Sequence, residues 1–275
     1  MGSKGSKGNP VREHGFRADE IDTSRPHPAR IYDYLLGGDD NYEVDRRAGE
    51  QLVASAPEAR IGVRANRAFL RRAVRHVVGT GVRQLLDIGT GLPTAPNVHE
   101  TAREVVPDVR VAYVDNDPLV HTHTGALLDG DDTTGIVLAD LRAPRAILDD
   151  PGVRAVVDFD EPVALLLVAV LHFLTDADKP QEIIATLRDA LAPGSHLILS
   201  HATGDFADRS GAAAVYSKAT ASMNLRGRTE IESFFDGFEL IDPGVVQVPF
   251  WRPDTPPPPR SHEIGFYGGV ARKLD

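Results

Sequence analysis

The chain carries two hydrophobic rhythms, and the switches between them mark its elements. Residues 43–56 and 64–78 repeat apolar positions at helical spacing, with Phe69, Leu70, Val74 and Val77 on a common side, which predicts amphipathic helices. Gln84–Ile88 reads differently. Leu85, Leu86 and Ile88 form a short apolar run, the pattern of a central parallel strand covered on both faces. Gly89 and Gly91 follow at once, where the lack of a side chain lets the backbone turn sharply and approach a ligand. Residues 92–106 then read as a loop and helix, and 109–118 as a second strand ending in Asp115. A third strand, Ile136–Leu138, leads to Asp140, and the apolar run from Pro162 to Leu174 should contain a central fourth strand. A helix stopped by Pro193-Gly194 precedes a fifth strand, Ser195–Ser200.

The later pattern is less regular. Residues 211–236 read as helical with Met223 and Leu225 inside, 237–251 as a sixth strand and a loop to Phe250 and Trp251, and 264–274 as a final strand. That last strand is expected at the sheet edge, antiparallel, because its connection is hairpin-like and carries no crossover helix. At the other end, Pro28 and the Gly37-Gly38 pair delimit a helix of about two turns, followed by a polar loop. Residues 1–20 are rich in Gly, Ser and Lys without apolar period, which predicts a mobile tail. The expected organisation is a tail over 1–20, an N-terminal helical cap over 21–62 and an α/β domain over 63–275.

Composition narrows the chemistry. A chain of 275 residues, 41% hydrophobic, can bury one sizeable core. Its formal net charge of -10 argues against general attraction to nucleic acid or anionic membranes. With no cysteine there is no disulfide framework, thiolate zinc site or cysteine nucleophile, which suits a reducing cytoplasm. No apolar run reaches membrane-spanning length, so a soluble cytoplasmic protein is expected, with no membrane partner and no metal demanded.

Strand, glycine loop, helix, strand and acid form a βαβ unit. Asp115 lies 24 residues beyond Gly91, a spacing that lets a carboxylate at the second strand's end accept hydrogen bonds from both hydroxyls of a ribose. Asp140, at the next strand edge, is suited either to an adenine amine or to capping the following helical turn. The glycine pattern runs Gly89-x-Gly91-x-x-Thr94 and lacks the third glycine of dinucleotide sites. A nicotinamide-dependent oxidoreductase is therefore less well supported than a site for a nucleoside without a pyrophosphate.

The Asp87, Gly89 and Gly91 set resembles the first motif of class I S-adenosylmethionine-dependent methyltransferases, with Asp115 at the position of their ribose-binding acid and Asp140-Leu141 at that of their adenine-contacting pair. More narrowly, PARIYDYLLGGDDNYEVDR, DIGTGLPTAPNVHE, YVDNDP and LLLVAVLHF resemble an actinobacterial family of such enzymes formerly catalogued as a domain of unknown function. The resemblance spans roughly residues 20–273. It implies a seven-stranded Rossmann-like sheet of order 3-2-1-4-5-7-6 with the seventh strand antiparallel, S-adenosyl-L-methionine as cofactor and S-adenosylhomocysteine as product. Asp87, Gly89, Thr90, Gly91, Asp115, Asn116, Asp140 and Leu141 are then the candidate cofactor residues. Arg30, Tyr34 and Asn41 would belong to a cap closing over the strand ends. His172, Tyr32, Tyr34 and His201 are the candidates for handling an acceptor's proton, with Tyr34 suited equally to walling the cofactor. Trp251 and Phe250 would line an acceptor pocket or plug the core. The function expected is methyl transfer to a small-molecule acceptor. The alternative is a non-catalytic S-adenosylmethionine sensor or interaction protein, since Ala169-Val170-Leu171-His172 stands where an Asn-Pro-Pro-Tyr acceptor motif would follow the fourth strand.

Overall fold

The computed structural model describes residues 21–206 and 210–274, so the tail expected over 1–20 lies outside the described residues. Five parallel strands follow the buried apolar runs: β1 (Gln84–Ile88), β2 (Arg110–Asp115), β3 (Thr134–Leu138), β4 (Val163–Val168) and β5 (His196–Ala202). The closing strand β8 (Phe266–Arg272) pairs antiparallel with β5. Two short strands, β6 (Glu239–Leu240) and β7 (Val246–Gln247), both pair antiparallel with β8. The sheet order is β3-β2-β1-β4-β5-β8-β6, with β7 attached to β8. This is the expected Rossmann-like order, except that the sixth strand is broken in two. Asp242-Pro243-Gly244 interrupts it, and Gly244 N–H closes a turn onto Ile241 O at 2.8 Å; proline cannot donate to a ladder.

Helices cover both faces. Along β1, β4 and β5 successive side chains alternate between two cores. Leu86, Ile88, Leu165, Leu167, Leu197 and Leu199 join one, and Leu85, Leu166 and Ile198 join the other with Phe69, Val74 and Trp251. Pro, Asp and Asn residues set the starts of several covering helices. Asp117 caps α5 (Pro118–Leu127) by accepting from Leu119 N–H at 3.0 Å, satisfying one of the orphan donors of a helix start.

Before the sheet come α1 (Pro28–Leu36), α2 (Glu43–Ser55) and α3 (Ala59–Gly79). Gly37 ends α1 in the left-handed conformation, with its N–H on Asp33 O and Tyr34 O, a common helix stop. The expected helix at 64–78 starts earlier, at Ala59, and α3 is continuous across the boundary drawn between cap and domain. Val63 near its start packs with Ile31, Leu35 and Leu52 in a third cluster, while Phe69 to Val78 pack on the sheet. The helix expected over 211–236 exists only as α9 (Ser210–Tyr216) and α10 (Arg228–Ser233). Between them the backbone is irregular because its amides are held elsewhere: Thr220 N–H reaches Pro26 O at 2.9 Å and Asn224 N–H reaches His172 O at 2.7 Å. Among the described residues no helix is long and apolar enough to cross a membrane.

Candidate active site

The carboxyl ends of the parallel strands open into a cavity of about 520 Å³, within the range that binds small molecules and cofactors. β1 delivers Asp87 to its rim and then turns. Gly89 and Gly91 have φ of 77° and 69°, a region that side chains with a Cβ enter only at a cost. A Cβ on Gly89 would stand 2.5 Å from Val170 Cγ2, whereas one on Gly91 would meet nothing within 4 Å. Gly89 is thus a packing requirement as well as a turn, and Gly91 leaves its backbone open to the cavity.

The loop is tied to Asp115. Gly91 N–H donates to Asp115 Oδ2 at 2.8 Å, and Asp117 N–H donates to Asp115 Oδ1 at 2.9 Å. The Asn116 amide adds a third backbone interaction, and the roughly four lone-pair sites of a carboxylate still leave room for another donor. Burial pushes the Asp115 carboxyl up to about 6, against those backbone hydrogen bonds. Burial likewise pushes Asp87 up to about 7; the Thr90 hydrogen bond and the Arg67 charge oppose it, and the Asp115 charge adds to it. Two acids of raised pKa facing one cavity form the kind of perturbed pair that functional sites display.

α1 closes this end. Arg30 and Asp117, 2% and 1% exposed, form a two-pronged ion pair: Nε to Oδ2 at 2.9 Å and Nη2 to Oδ1 at 2.8 Å. Arg30 Nη1 donates to Asp22 O at 2.8 Å, and its guanidinium lies over the Tyr42 ring. Burial alone would raise the Asp117 carboxyl, but the Arg30 hydrogen bonds with His27 and Arg30 charge hold it below the ordinary value. His27, 3.3 Å from Asp117, is pushed below the ordinary imidazole value chiefly by burial.

The other side of the cavity is largely apolar. Leu35, Leu52, Ala56, Val63, Ala212 and Met223 line it, all from or against the third hydrophobic cluster. The polar exceptions on the helix side include Tyr32 and Asn66. Tyr32 Oη donates to Val63 O at 3.1 Å and accepts from Asn66 Nδ2 at 3.1 Å, and burial raises its phenol. His172, in a turn just past β4, also lines the cavity. Its Nδ1 accepts from Ala202 N–H at 3.3 Å, which places the ring proton on Nε2. Burial, then the neighbouring His201 and Arg226, hold its pKa well below the ordinary value.

The cavity therefore gathers Asp87, Gly89, Thr90, Gly91, Asp115, Asn116, Asp140, Leu141, Arg30, Tyr32 and His172. It does not gather the others. Tyr34 sits on Gly49 of α2 with the Arg60 guanidinium 4.9 Å from its ring, because it lies two positions from Tyr32 on a helix and so points away. Asn41 holds its own loop, donating to Asp33 Oδ2 at 2.7 Å and Gly38 O at 2.8 Å. Trp251 is fully buried, edge-on to Phe69 with ring centroids 5.5 Å apart; it is a core plug, and Phe250 is exposed. His201 is buried away from the cavity with both ring nitrogens engaged, on Ala202 O at 2.6 Å and Arg226 Nη1 at 3.2 Å. Asp140 binds the Arg142 amide at 2.8 Å and its guanidinium at 3.0 Å; it holds its own loop and does not cap the next helix, which starts after Ala143, while it also lines the cavity. The sequence reading missed Asp117, Arg67 and Asn66. Asn66 and Arg67 lie at helical spacing from Val63 and Leu70, a stripe with which α3 walls the cavity. Among the described residues no group of three or more His, Asp or Glu is arranged to hold a metal ion.

Sheet order, glycine turn and the acid ending β2 together define a Rossmann-like protein with a nucleoside-type crevice at its strand ends. A family model described as S-adenosyl methyltransferase matches residues 14–274, and the chain belongs to that family. It is thus an S-adenosylmethionine-dependent methyltransferase by membership. A DUF574 family protein from Streptomyces avermitilis shares 44% identity over 92% of this chain and 99% of its own, with a TM-score of 0.88. A Thermobifida fusca protein with a provisional methyltransferase assignment shares 40% identity over 93% of this chain and 98% of its own, also at 0.88. The S-adenosylmethionine-dependent methyltransferase SibL, 18% identical over 92% of this chain and 64% of its own with a TM-score of 0.51, is alike in fold. No curated protein matches the chain.

Proposed function

We propose that the protein transfers the methyl group of S-adenosylmethionine to a small, largely apolar acceptor, with the cofactor on the strand ends and the acceptor beneath a cap made by residues 21–62. The observation that carries this reading is one cavity with two chemistries: acids and open backbone on the strand side, aliphatic side chains on the helix side. A cofactor sensor would have no need of the second half. The net charge of -10 favours a small molecule over nucleic acid.

The residues present fit the cofactor. Asp115 keeps acceptor capacity beyond its backbone amides for a ribose hydroxyl, with Asn116 beside it, and Gly91 presents backbone where a Cβ would stand. Asp87, Gly89 and Thr90 would hold the amino-acid end, and Asp140 with Leu141 the adenine. S-adenosylmethionine supplies a methyl carbon already activated by its sulfonium. The protein's own work is to align an acceptor and exclude water. His172, neutral and carrying its proton on Nε2, orients the acceptor by donating a hydrogen bond rather than by taking a proton. Tyr32, its hydroxyl committed to Val63 O, walls the same region.

Calorimetric titration of S-adenosylmethionine into the protein and into Asp115→Ala tests the first half. Micromolar binding that the variant loses supports it, and equal affinity in both refutes it. Incubation with cell extract and labelled methyl donor tests the second half: label in the small-molecule fraction supports it, and label confined to protein or nucleic acid refutes it.

A further inference from the structure

We infer that Arg30 is a positioning residue for the cofactor: it sets the ribose-binding acid Asp115 through Asp117, so that the cap and the ribose site act as one unit. This rests on the reading of Asp115 given above. Arg30 lies on α1 and Asp117 in the loop after β2, 87 positions apart in sequence, and both are almost fully buried.

The chain of contacts runs in three steps. Arg30 donates twice to the Asp117 carboxylate, a planar fork geometry that fixes both position and orientation. The same carboxylate accepts from Leu119 N–H, so the Asp117 peptide is held from both ends of its residue. Its N–H in turn donates to Asp115 Oδ1 at 2.9 Å. Asp115 is also held by the Gly91 amide on its other oxygen and by the Asn116 amide, and of these three backbone contacts the Asp117 amide is the one that Arg30 fixes through the Asp117 carboxylate. Arg30 itself is fixed by Asp22 O and the face of Tyr42. Removing the guanidinium leaves the Asp117 carboxylate buried with the His27 imidazole, 3.3 Å away, as its remaining basic neighbour, and frees the loop that aims Asp115. A lysine keeps the charge but loses the fork.

The test separates positioning of the ribose acid from general damage by comparing adenosine with 2′,3′-dideoxyadenosine, which lacks both hydroxyls. Affinities are measured by competition against S-adenosylhomocysteine for the full chain, Arg30→Lys, Arg30→Met and the charge-balanced Arg30→Met/Asp117→Asn. Wild type should prefer adenosine by about tenfold or more, as hydrogen bonds to a charged group allow. In Arg30→Met, or in the double variant should the single one fail to fold, the preference should fall to about threefold or less while dideoxyadenosine binds as before. Arg30→Lys should be intermediate. An unchanged preference in the variants, or an equal loss for both probes, overturns the inference. Absence of any preference in wild type overturns the Asp115 reading beneath it, and so is distinguishable from failure of the Arg30 step alone.

Discussion

The two glycines of the loop after β1 differ in a way that alanine substitution should expose. Both occupy the left-handed region, φ 77° and 69°, so a Cβ at either costs about 1–2 kcal/mol. Only at Gly89 does the new Cβ collide, 2.5 Å from Val170 Cγ2 and 2.8 Å from Val170 Cβ, and relieving such overpacking costs about 1–3 kcal/mol more. Gly89→Ala is thus expected to lose about 2–5 kcal/mol of stability and Gly91→Ala about 1–2 kcal/mol. The lower entropy of the unfolded alanine chain offsets both equally. Binding should rank the other way. A methyl group on Gly91 meets no protein atom within 4 Å, and on the proposed reading it stands where the cofactor lies, so Gly91→Ala should weaken S-adenosylmethionine by tenfold or more while lowering the melting temperature less than Gly89→Ala. Chemical denaturation gives the stabilities and calorimetry the affinities. Val170→Ala in the Gly89→Ala background should recover the collision cost, seen as a favourable coupling in a double-mutant cycle. Equal destabilisation by the two alanines, or no coupling with Val170, would refute the reasoning.

Two other outcomes follow from the geometry. Asp87 is held up to about 7 by burial, so the folded state keeps a proton that the unfolded chain has released. Its contribution therefore lowers stability as pH rises from about 4 to about 7, by up to about 4 kcal/mol; the melting-temperature difference between Asp87→Asn and wild type should grow across that window, and a difference independent of pH would sink the argument. Trp251→Ala should cost about 3–5 kcal/mol of stability with S-adenosylmethionine affinity within twofold of wild type; a stable variant that had lost acceptor binding would return Trp251 to the site.

What the sequence disclosed depended on how locally each feature is encoded. The central strands were legible because burial on both faces writes an uninterrupted apolar run, and the glycine turn because backbone geometry there excludes side chains. Asp115 was legible because the βαβ unit fixes its distance from Gly91. The broken sixth strand was readable in principle, since Pro243 cannot serve a ladder, yet the hydrophobic pattern on either side hid it. Residues 217–227 lost their helix to backbone bonds with Pro26 and His172, partners that no local propensity announces. Tyr34 was misplaced although helix geometry separates it from Tyr32 by about 200°. His201 was misjudged, and Trp251 was left between pocket and core, because their partners, Arg226 and Phe69, are distant in sequence and meet them only after folding. The Arg30–Asp117 pair belongs with these: Arg30 was recognisable, its partner was not.

The continuity of α3 bears on how relatives of this protein could exchange specificity. One continuous helix, 21 residues long, contributes Val63 to the third cluster with α1 and α2 and Phe69 to the sheet's core, so the two share a beam rather than a hinge. A graft that swapped residues 21–62 between two relatives would join the first turn of that beam, residues 59–62, from one protein to the rest of α3 from the other. A chimaera meant to accept a new substrate has to carry the whole of α3, together with α9, whose Ala212 and Val215 share the third cluster with Val63, and leave the strand ends as they are.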